Sequence, residues 1–464
     1  METALDEKQQ STPTVRRRPG WRAYGDVLRE LIRAAAQIVV APFSIVSFLS
    51  RRERLCLEVA CDLEEAARVE DAGSIAVRHD RPLHIFVAAA EASGETHAVS
   101  LVRALRAELA SLGAPPPRFS GLGGERLAAE GVVLVANPVA RAAMGSDVLA
   151  SLPFYVGLLA QVAEHFRDVV PDVVVPVDSP ALNVPIGHIA QRTGRRVVHF
   201  VAPQYWGWAP WRVRGYRKAV DRALTILPFE RPWFRRRRVD AYYVGHPLLD
   251  ELAREPVTRP GDTGPLVLLP GSRASVIERN LPWMLGVVEQ LRERLDGPLE
   301  VVLPHSDATL AATLQRHIDA AGAADYVRLA PGDLHATLRS ARAALSVSGT
   351  ILIDLLHHRL PCVVLYRMQS RLALGPGRRL LTVPYFSSIN LLAGRRVVPE
   401  YAFVGRGPVD AVVRDLERCL QPGAWRRSCI LSLERAAERL GPPGAARRAA
   451  RQVLAAVAPA SARR

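Results

Sequence analysis

From Pro82 onward the chain alternates short apolar runs with stretches of helical period. Leu83-His84-Ile85-Phe86-Val87-Ala88-Ala89 reads as a strand. Thr96 to Leu112 reads as a helix, with Val99, Leu101, Val102, Leu105 and Leu109 on one stripe. Arg118 to Gly124 predicts a strand entering a tight turn, and Val132–Val135, Asp172–Val177 and Arg196–Val201 continue the series. Strands separated by helices of this length imply a parallel sheet covered on both faces.

The stretch Arg254 to Pro265 is polar and rich in Pro and Gly, and it reads as a linker. Beyond it the alternation restarts with Leu266–Leu269, Leu299–Leu303, Tyr326–Leu329, Ala343–Val347 and Cys362–Leu365. The expected class is therefore α/β. It has one Rossmann-like half over 81–253, a linker at 254–265 and a second half over 266–440. A basic helical tail at 441–464 follows. Two such halves face each other across a cleft at the carboxyl ends of their strands.

Residues 1–80 form an extension whose first 20 positions are polar and charged and read as disordered. Ala34 to Ser50 carries no charge and is flanked by Arg33 and by Arg51-Arg52. It is short for a bilayer span, which takes roughly 20 residues, and Pro42 is expected to interrupt it. A membrane-surface anchor is the first reading, packing onto the body the second, and a true span the third.

Composition adds one unusual property. At 464 residues, 49% hydrophobic and 23% charged, the chain is an ordinary globular protein of two or three domains. Its net charge of +15 is not ordinary. That charge suits phosphates on a nucleic acid, an anionic membrane or a substrate, unless it reflects only an arginine-rich composition. No nucleic-acid reader module accompanies it, so nucleic acid is not an expected partner. The five cysteines include no Cys-x-x-Cys pair and are odd in number, which fits a reducing cytosol.

Candidate chemistry gathers where strands end. Gly271, Ser272 and Arg273 follow the run Leu266–Leu269, and Ser348, Gly349 and Thr350 follow Ala343–Val347. Each is a small-residue turn entering a helix, which suits an anion, and Arg273 adds a bidentate cation. Asp354, one helical turn past Thr350, is either a carboxylate for ribose hydroxyls or an ordinary first-turn acid. In the first half, Asp178 ends a strand, where it is either a general base or a helix N-cap. Glu91, Ser93 and Gly94 open a helix, either as an acceptor-side turn or as a plain turn capped by Ser93. Trp206 and Trp208 lie in an aromatic loop suited to an acyl chain or sugar, or to covering the core. His246 either contacts a diphosphate or caps a turn.

These stretches, in this order, resemble the lipid-A-disaccharide synthase family. The matching residues are Glu91-Ala92-Ser93-Gly94, Pro171 through Asp178 and Asn183, Pro203 with Trp206 and Trp208, Leu227 to Glu230, and Gly245-His246. They continue with Leu269 to Arg273 and Glu278, Ser348-Gly349-Thr350, Tyr366-Arg367-Met368 and Asn390 to Arg395, within about 82–440. The resemblance implies a GT-B glycosyltransferase that inverts its donor and needs no cofactor or metal. Its donor would be UDP-2,3-diacylglucosamine and its acceptor 2,3-diacylglucosamine 1-phosphate. Asp178 would act as base and Arg273 with Ser348–Thr350 would hold the diphosphate, with Gly271, Ser272, Asp354 and Arg367 beside them. Glu91, Ser93, Gly94, Asn183, Trp206, Trp208, His246 and Asn390 would lie on the acceptor side. The resemblance also implies a cytoplasmic site on the anionic inner membrane and allows a homodimer.

The chain departs from the family pattern at Ala181, Ala209, Val276 and Ile389, and has Asp354 where Glu is usual. Gly375-Pro376-Gly377 falls in the family's membrane-associated helix. A UDP-N-acetylglucosamine 2-epimerase-like enzyme and a non-catalytic UDP-sugar-binding or lipid-binding relative remain as alternatives.

Overall fold

The structure, a computed structural model, describes residues 19–65, 67–73, 75, 80–143, 152–305, 308–368 and 376–457. The polar lead 1–18, the end of the basic tail and Gly375 lie outside the described residues.

The first sheet has seven parallel strands. They are β1 (His84–Ala89), β2 (Arg118–Leu122), β3 (Val133–Ala136), β4 (Val173–Val177), β5 (Arg196–Phe200), β6 (Arg222–Thr225) and β7 (Ala241–Tyr243), in the order β3-β2-β1-β4-β5-β6-β7. The second sheet has six: β8 (Leu266–Leu269), β9 (Val301–His305), β10 (Val327–Pro331), β11 (Ala343–Val347), β12 (Cys362–Arg367) and β13 (Glu400–Phe403). Their order is β10-β9-β8-β11-β12-β13. Every residue of β4 and β8 is buried, as expected of strands covered by helices on both faces.

Each order reverses once, and the reversal is the feature that matters for function. In the first sheet β1 pairs with β4, with Ala89 beside Val177. In the second β8 pairs with β11, with Leu269 beside Ser346. At such a point the helices leave toward opposite faces, and a crevice opens at the carboxyl ends of the strands. The first crevice receives Gly94 and Asp178, and the second receives Gly271 and Ser348.

The basic tail is not a separate appendage. Its helix, Ala445–Val457, crosses back onto the first half and packs on the helix Ala92–Ser111. Arg447 and Arg451 hold Glu108 at 2.7 and 3.1 Å, and Asp250 receives the N–H groups of Ala445 and Ala446, both at 2.9 Å. The linker is fixed as well: Arg426, almost fully buried, donates to Gly261 O at 2.6 Å and to Arg342 O at 2.7 Å.

The extension also differs from expectation. It forms α1 (Trp21–Leu49) and α2 (Arg52–Glu65), and Pro42 lies inside α1 without ending it. α1 rests on the helices Leu152–Asp168 and Pro180–Arg192 through its N-terminal turns. Ala23 and Val27 are buried there, and Asp26 and Glu30 are drawn inward by Arg167, Arg192 and His188.

Candidate active site

Two turns build the carboxyl edge of the second sheet. After β8, Pro270-Gly271 leads into the helix Ala274–Arg292. Gly271 has φ +118°, and a β-carbon there would stand 2.6 Å from Val276 Cγ1. Any other residue is strained at this position. The same point is 3.7 Å from Val347 Cγ2, at the end of β11, so the missing side chain lets the two turns approach. Val276, where the family pattern carries an acid, is thus packing against the glycine. Arg273 is the N-cap residue in extended conformation, and its side chain is exposed and without a carboxylate partner among the described residues.

β11 delivers Ser348, Gly349 and Thr350 to the start of the helix Ile351–His357. Ser348 is anchored, its N–H donating to Leu365 O at 2.9 Å and its hydroxyl to Phe386 O at 3.3 Å. Gly349 and Thr350 stay exposed, so the amide edge of the turn remains available to an anion.

One cavity of about 1370 Å³ joins these pieces. Gly271, Ser272, Arg273, Ser348, Gly349, Thr350, Asp354 and Arg367 all line it, together with Trp206 and Trp208 from the first half. Arg273, Arg279 and Arg367 face one carboxylate, Asp354, among its described lining residues, a balance that favours an anionic ligand. The volume exceeds the roughly 300–1,000 Å³ typical of small-molecule sites, leaving room for a ligand larger than a nucleotide.

Asp354 is nearly buried, with His335 Nε2 at 3.9 Å from its carboxylate. Burial raises its pKa to about 7, backbone hydrogen bonding opposes that, and the negative charge of Glu251 adds to it. Asp354 therefore titrates near neutrality, unlike an ordinary solvated aspartate.

In the first half Asp178 follows β4 with φ 54°, and Ser179 follows with φ 43°. Two consecutive non-glycine residues in the left-handed region store strain, on the order of 1–3 kcal/mol each. Asp178 is not the helix N-cap. That position is Ser179, whose side chain makes no capping bond, and the helix begins at Pro180. Burial raises the Asp178 carboxyl pKa, partly offset by the Ser179 N–H. Its backbone is fixed from two sides: its N–H donates to Phe200 O at 2.9 Å, and its carbonyl meets His199 Nε2 at 3.1 Å. Gly94 stands directly alongside, since a β-carbon there would lie 3.8 Å from Asp178 Cβ and 3.4 Å from Val177 O. Glu91 and Ser93 flank it, both exposed; Glu91 is the N-cap, so Ser93 does not cap this helix.

Asp178, Glu91, Ser93, Gly94, Asn183, His246 and Asn390 are not among the residues lining the 1370 Å³ cavity. Three of them are fixed in the scaffold. Asn183 is buried and donates to the carbonyls of Val177 at 3.0 Å and Asp178 at 2.7 Å, so it positions the aspartate from beneath. Asn390 accepts from Val397 N at 2.7 Å and Val398 N at 3.0 Å, and donates to Val398 O at 2.9 Å and Glu400 Oε2 at 3.0 Å. Its amide is fully used inside the second half. His246 caps a turn by accepting from Leu248 N at 3.3 Å, and burial lowers its pKa to about 3, which keeps it neutral.

The two tryptophans differ. Trp206 is buried, donating to Glu230 Oε1 at 2.9 Å. Trp208 is half exposed, under the Arg212 guanidinium at 5.3 Å. Their loop meets the second half directly, with Thr382 N donating to Gly207 O at 3.1 Å.

The structure adds Arg279, Phe386 and Glu400, which the motifs do not single out. Arg279 lines the cavity, and its carbonyl receives Arg367. Tyr366 stacks on Phe386 at 5.6 Å, and Glu400 holds that loop through Phe386 N at 3.0 Å and Ser387 N at 2.9 Å. No sequence signal points to Arg279, which stands six residues past Arg273 and so off the i+3/i+4 face. Among the described residues no group of three or more His, Cys, Asp or Glu is placed to hold a metal ion.

Comparison with known proteins agrees with this geometry. The family model described as lipid-A-disaccharide synthetase matches residues 85–406. A lipid-A-disaccharide synthase of Myxococcus xanthus is 36% identical over 382 residues, covering 80% of this chain and 97% of its own. One from Syntrophus aciditrophicus is 33% identical over 379 residues, with the same coverage of 80% and 97%. Among solved structures, a putative UDP-N-acetylglucosamine 2-epimerase of Listeria monocytogenes superposes with a TM-score of 0.53 at 13% identity, covering 79% of this chain and 94% of its own. That likeness speaks for the two-sheet GT-B fold alone. With a match spanning both sheets and both switch-point crevices, this chain belongs to the lipid-A-disaccharide synthase family.

Proposed function

We propose that this enzyme transfers a diacylglucosamine unit from UDP-2,3-diacylglucosamine to the 6-hydroxyl of 2,3-diacylglucosamine 1-phosphate, releasing UDP and forming the lipid A disaccharide. The observation that carries this reading is the single cavity in which Arg273, the Gly271 turn and the Ser348–Thr350 turn converge beside an aromatic loop. The diphosphate lies against the two turns, where Arg273 and the amide edge balance the charge that grows on it as the glycosidic bond breaks. Asp354 accepts the ribose hydroxyls. Asp178 takes the proton from the acceptor hydroxyl, which attacks the anomeric carbon on the face opposite the departing UDP and inverts it. Burial places the Asp178 carboxyl above the ordinary aspartate range, which makes it a better base than a solvated aspartate. The enzyme works at the cytoplasmic face of an anionic membrane, where both lipid substrates reside.

The test is an assay of UDP release from UDP-2,3-diacylglucosamine with and without acceptor, with mass spectrometry of the lipid formed. Acceptor-dependent UDP release with a disaccharide product is expected. Release of UDP or an epimerised sugar without acceptor would instead support an epimerase-like activity.

A further inference from the structure

α1 lies outside the residues the family model matches, and the catalytic proposal does not use it. Of the large apolar side chains that the structure leaves exposed, most belong to this one helix. Ile38 and Phe43 are each 75% exposed and Val39 70%, and every residue from Ala34 to Val40 faces solvent. Contiguous exposed apolar surface of this kind marks an interaction site.

The helix is held to the body by its ends. At the N-terminal end Arg192 reaches Asp26 at 3.0 Å and Glu30 at 2.6 Å, and His188 reaches Glu30 at 3.0 Å. At the other end Phe48 is buried against Trp211, ring centroids 5.4 Å apart. The apolar middle is therefore not what attaches α1 to the protein, and it remains free for another surface.

Charge decides what that surface is. Asp26 and Glu30 are the only acids on α1, and both are turned inward. The outward side carries Arg22 and Arg29, and the neighbouring helix Val213–Ala219 adds exposed Arg214, Arg217 and Lys218. Gln37 lies against Gly215 of that helix, 3.6 Å from where a β-carbon would stand. Exposed apolar side chains with a surplus of cations beside them fit the interface of an anionic bilayer. A second copy of the same face would bring these cations against one another.

We infer that α1 is a lipid-docking helix that lies in the plane of an anionic bilayer and holds the aromatic rim of the cavity against it. In-plane docking follows from length and from the ion pairs. The charge-free stretch Ala34 to Ser50 extends about 25 Å, short of the roughly 30 Å of bilayer hydrocarbon. Driving more of the helix inward would pull Asp26 and Glu30 off their arginines. The far end leads to the substrate site: Phe48 packs on Trp211, three residues from Trp208, which lines the cavity. An acylated substrate thus passes from the bilayer to the cavity along this rim. That last step rests on the glycosyltransferase reading, whereas the docking itself does not.

The experiment is co-sedimentation of the full chain with phosphatidylcholine vesicles, with and without phosphatidylglycerol. The comparison variant carries Ile38→Ser, Phe43→Ser and Val46→Ser, all at exposed positions. The wild type should bind vesicles containing phosphatidylglycerol and lose binding at high salt. The triple variant should bind about tenfold more weakly or less, with UDP affinity unchanged as a check on folding. A milder variant, Arg214→Ala with Arg217→Ala, should weaken binding only to the anionic vesicles. Equal partition of the wild type and the triple variant overturns the proposal. So does a dimer that the triple substitution converts to monomer without lipid, since the face would then be self-associating. A chain that binds vesicles yet transfers no sugar would refute the glycosyltransferase reading and leave docking intact.

Discussion

Asp354 shows how burial can make a cavity-lining carboxylate pH-sensitive. Its carboxyl is held near a pKa of about 7 against an unperturbed 3.8, so between those values the folded protein binds more protons than the unfolded chain. Stability from this group is therefore full below about pH 4 and is lost as pH rises toward 7. Ribose hydroxyls are accepted best by the carboxylate, so donor binding should run the other way. UDP affinity measured by calorimetry is expected to rise several-fold from pH 6 to pH 8 and to flatten in Asp354→Asn. A flat wild-type profile would remove Asp354 from the ribose site. At Gly271, alanine would need φ +118° and would press on Val276, so Gly271→Ala should weaken UDP binding by tenfold or more while the fold persists. Gly271 and Arg273 are legible in the sequence because a short turn between strand and helix leaves few geometries. The roles of Asn183 and Asn390 are not legible. An asparagine reads the same whether it touches a ligand or clamps carbonyls, and the partners of Asn390 lie on a separate loop and on β13.

At the scale of elements, local pattern finds the strands that are apolar throughout, even four-residue β3 and β8, and misses β6, β7 and β13. β6, β7 and β13 have four, three and four residues, and their apolar content is too brief to stand out from the arginine-rich surroundings. The basic tail forms a helix, but where it packs is not visible in the sequence. The sequence shows it only as a basic helix, because Glu108, which neutralises two of its arginines, sits more than 330 residues earlier in the chain. Asp250 likewise caps this helix from the far side of the linker, through N–H bonds from Ala445 and Ala446. Asp250→Ala should cost about 1 kcal/mol of stability by losing that cap, read as a drop of a few degrees in Tm. An unchanged Tm would mean that packing alone holds the helix. α1 was visible as an apolar segment. Its ion pairs to Arg167 and Arg192, which decide which part is free, arise only once the first half has folded.

For the whole molecule, two sheets of unequal order each present one reversal, and the candidate chemistry divides between them. Asp178 and Gly94 sit at the first, and the Gly271 and Ser348 turns at the second. The two halves and their linker are visible in the sequence as a restart of the alternation at Leu266. The strand order that creates the crevices is not, because parallel pairing is a non-local choice. The division of labour makes a sharp demand on the kinetics. The most direct measurement is kcat and UDP affinity for Asp178→Asn and Arg273→Ala beside the wild type, using diacylated donor and acceptor. Asp178→Asn should lower kcat by about 10²–10⁴-fold and leave UDP affinity unchanged. Arg273→Ala should weaken UDP binding and slow the reaction as well. Undiminished turnover in Asp178→Asn, or unaltered UDP affinity in Arg273→Ala, would contradict the account.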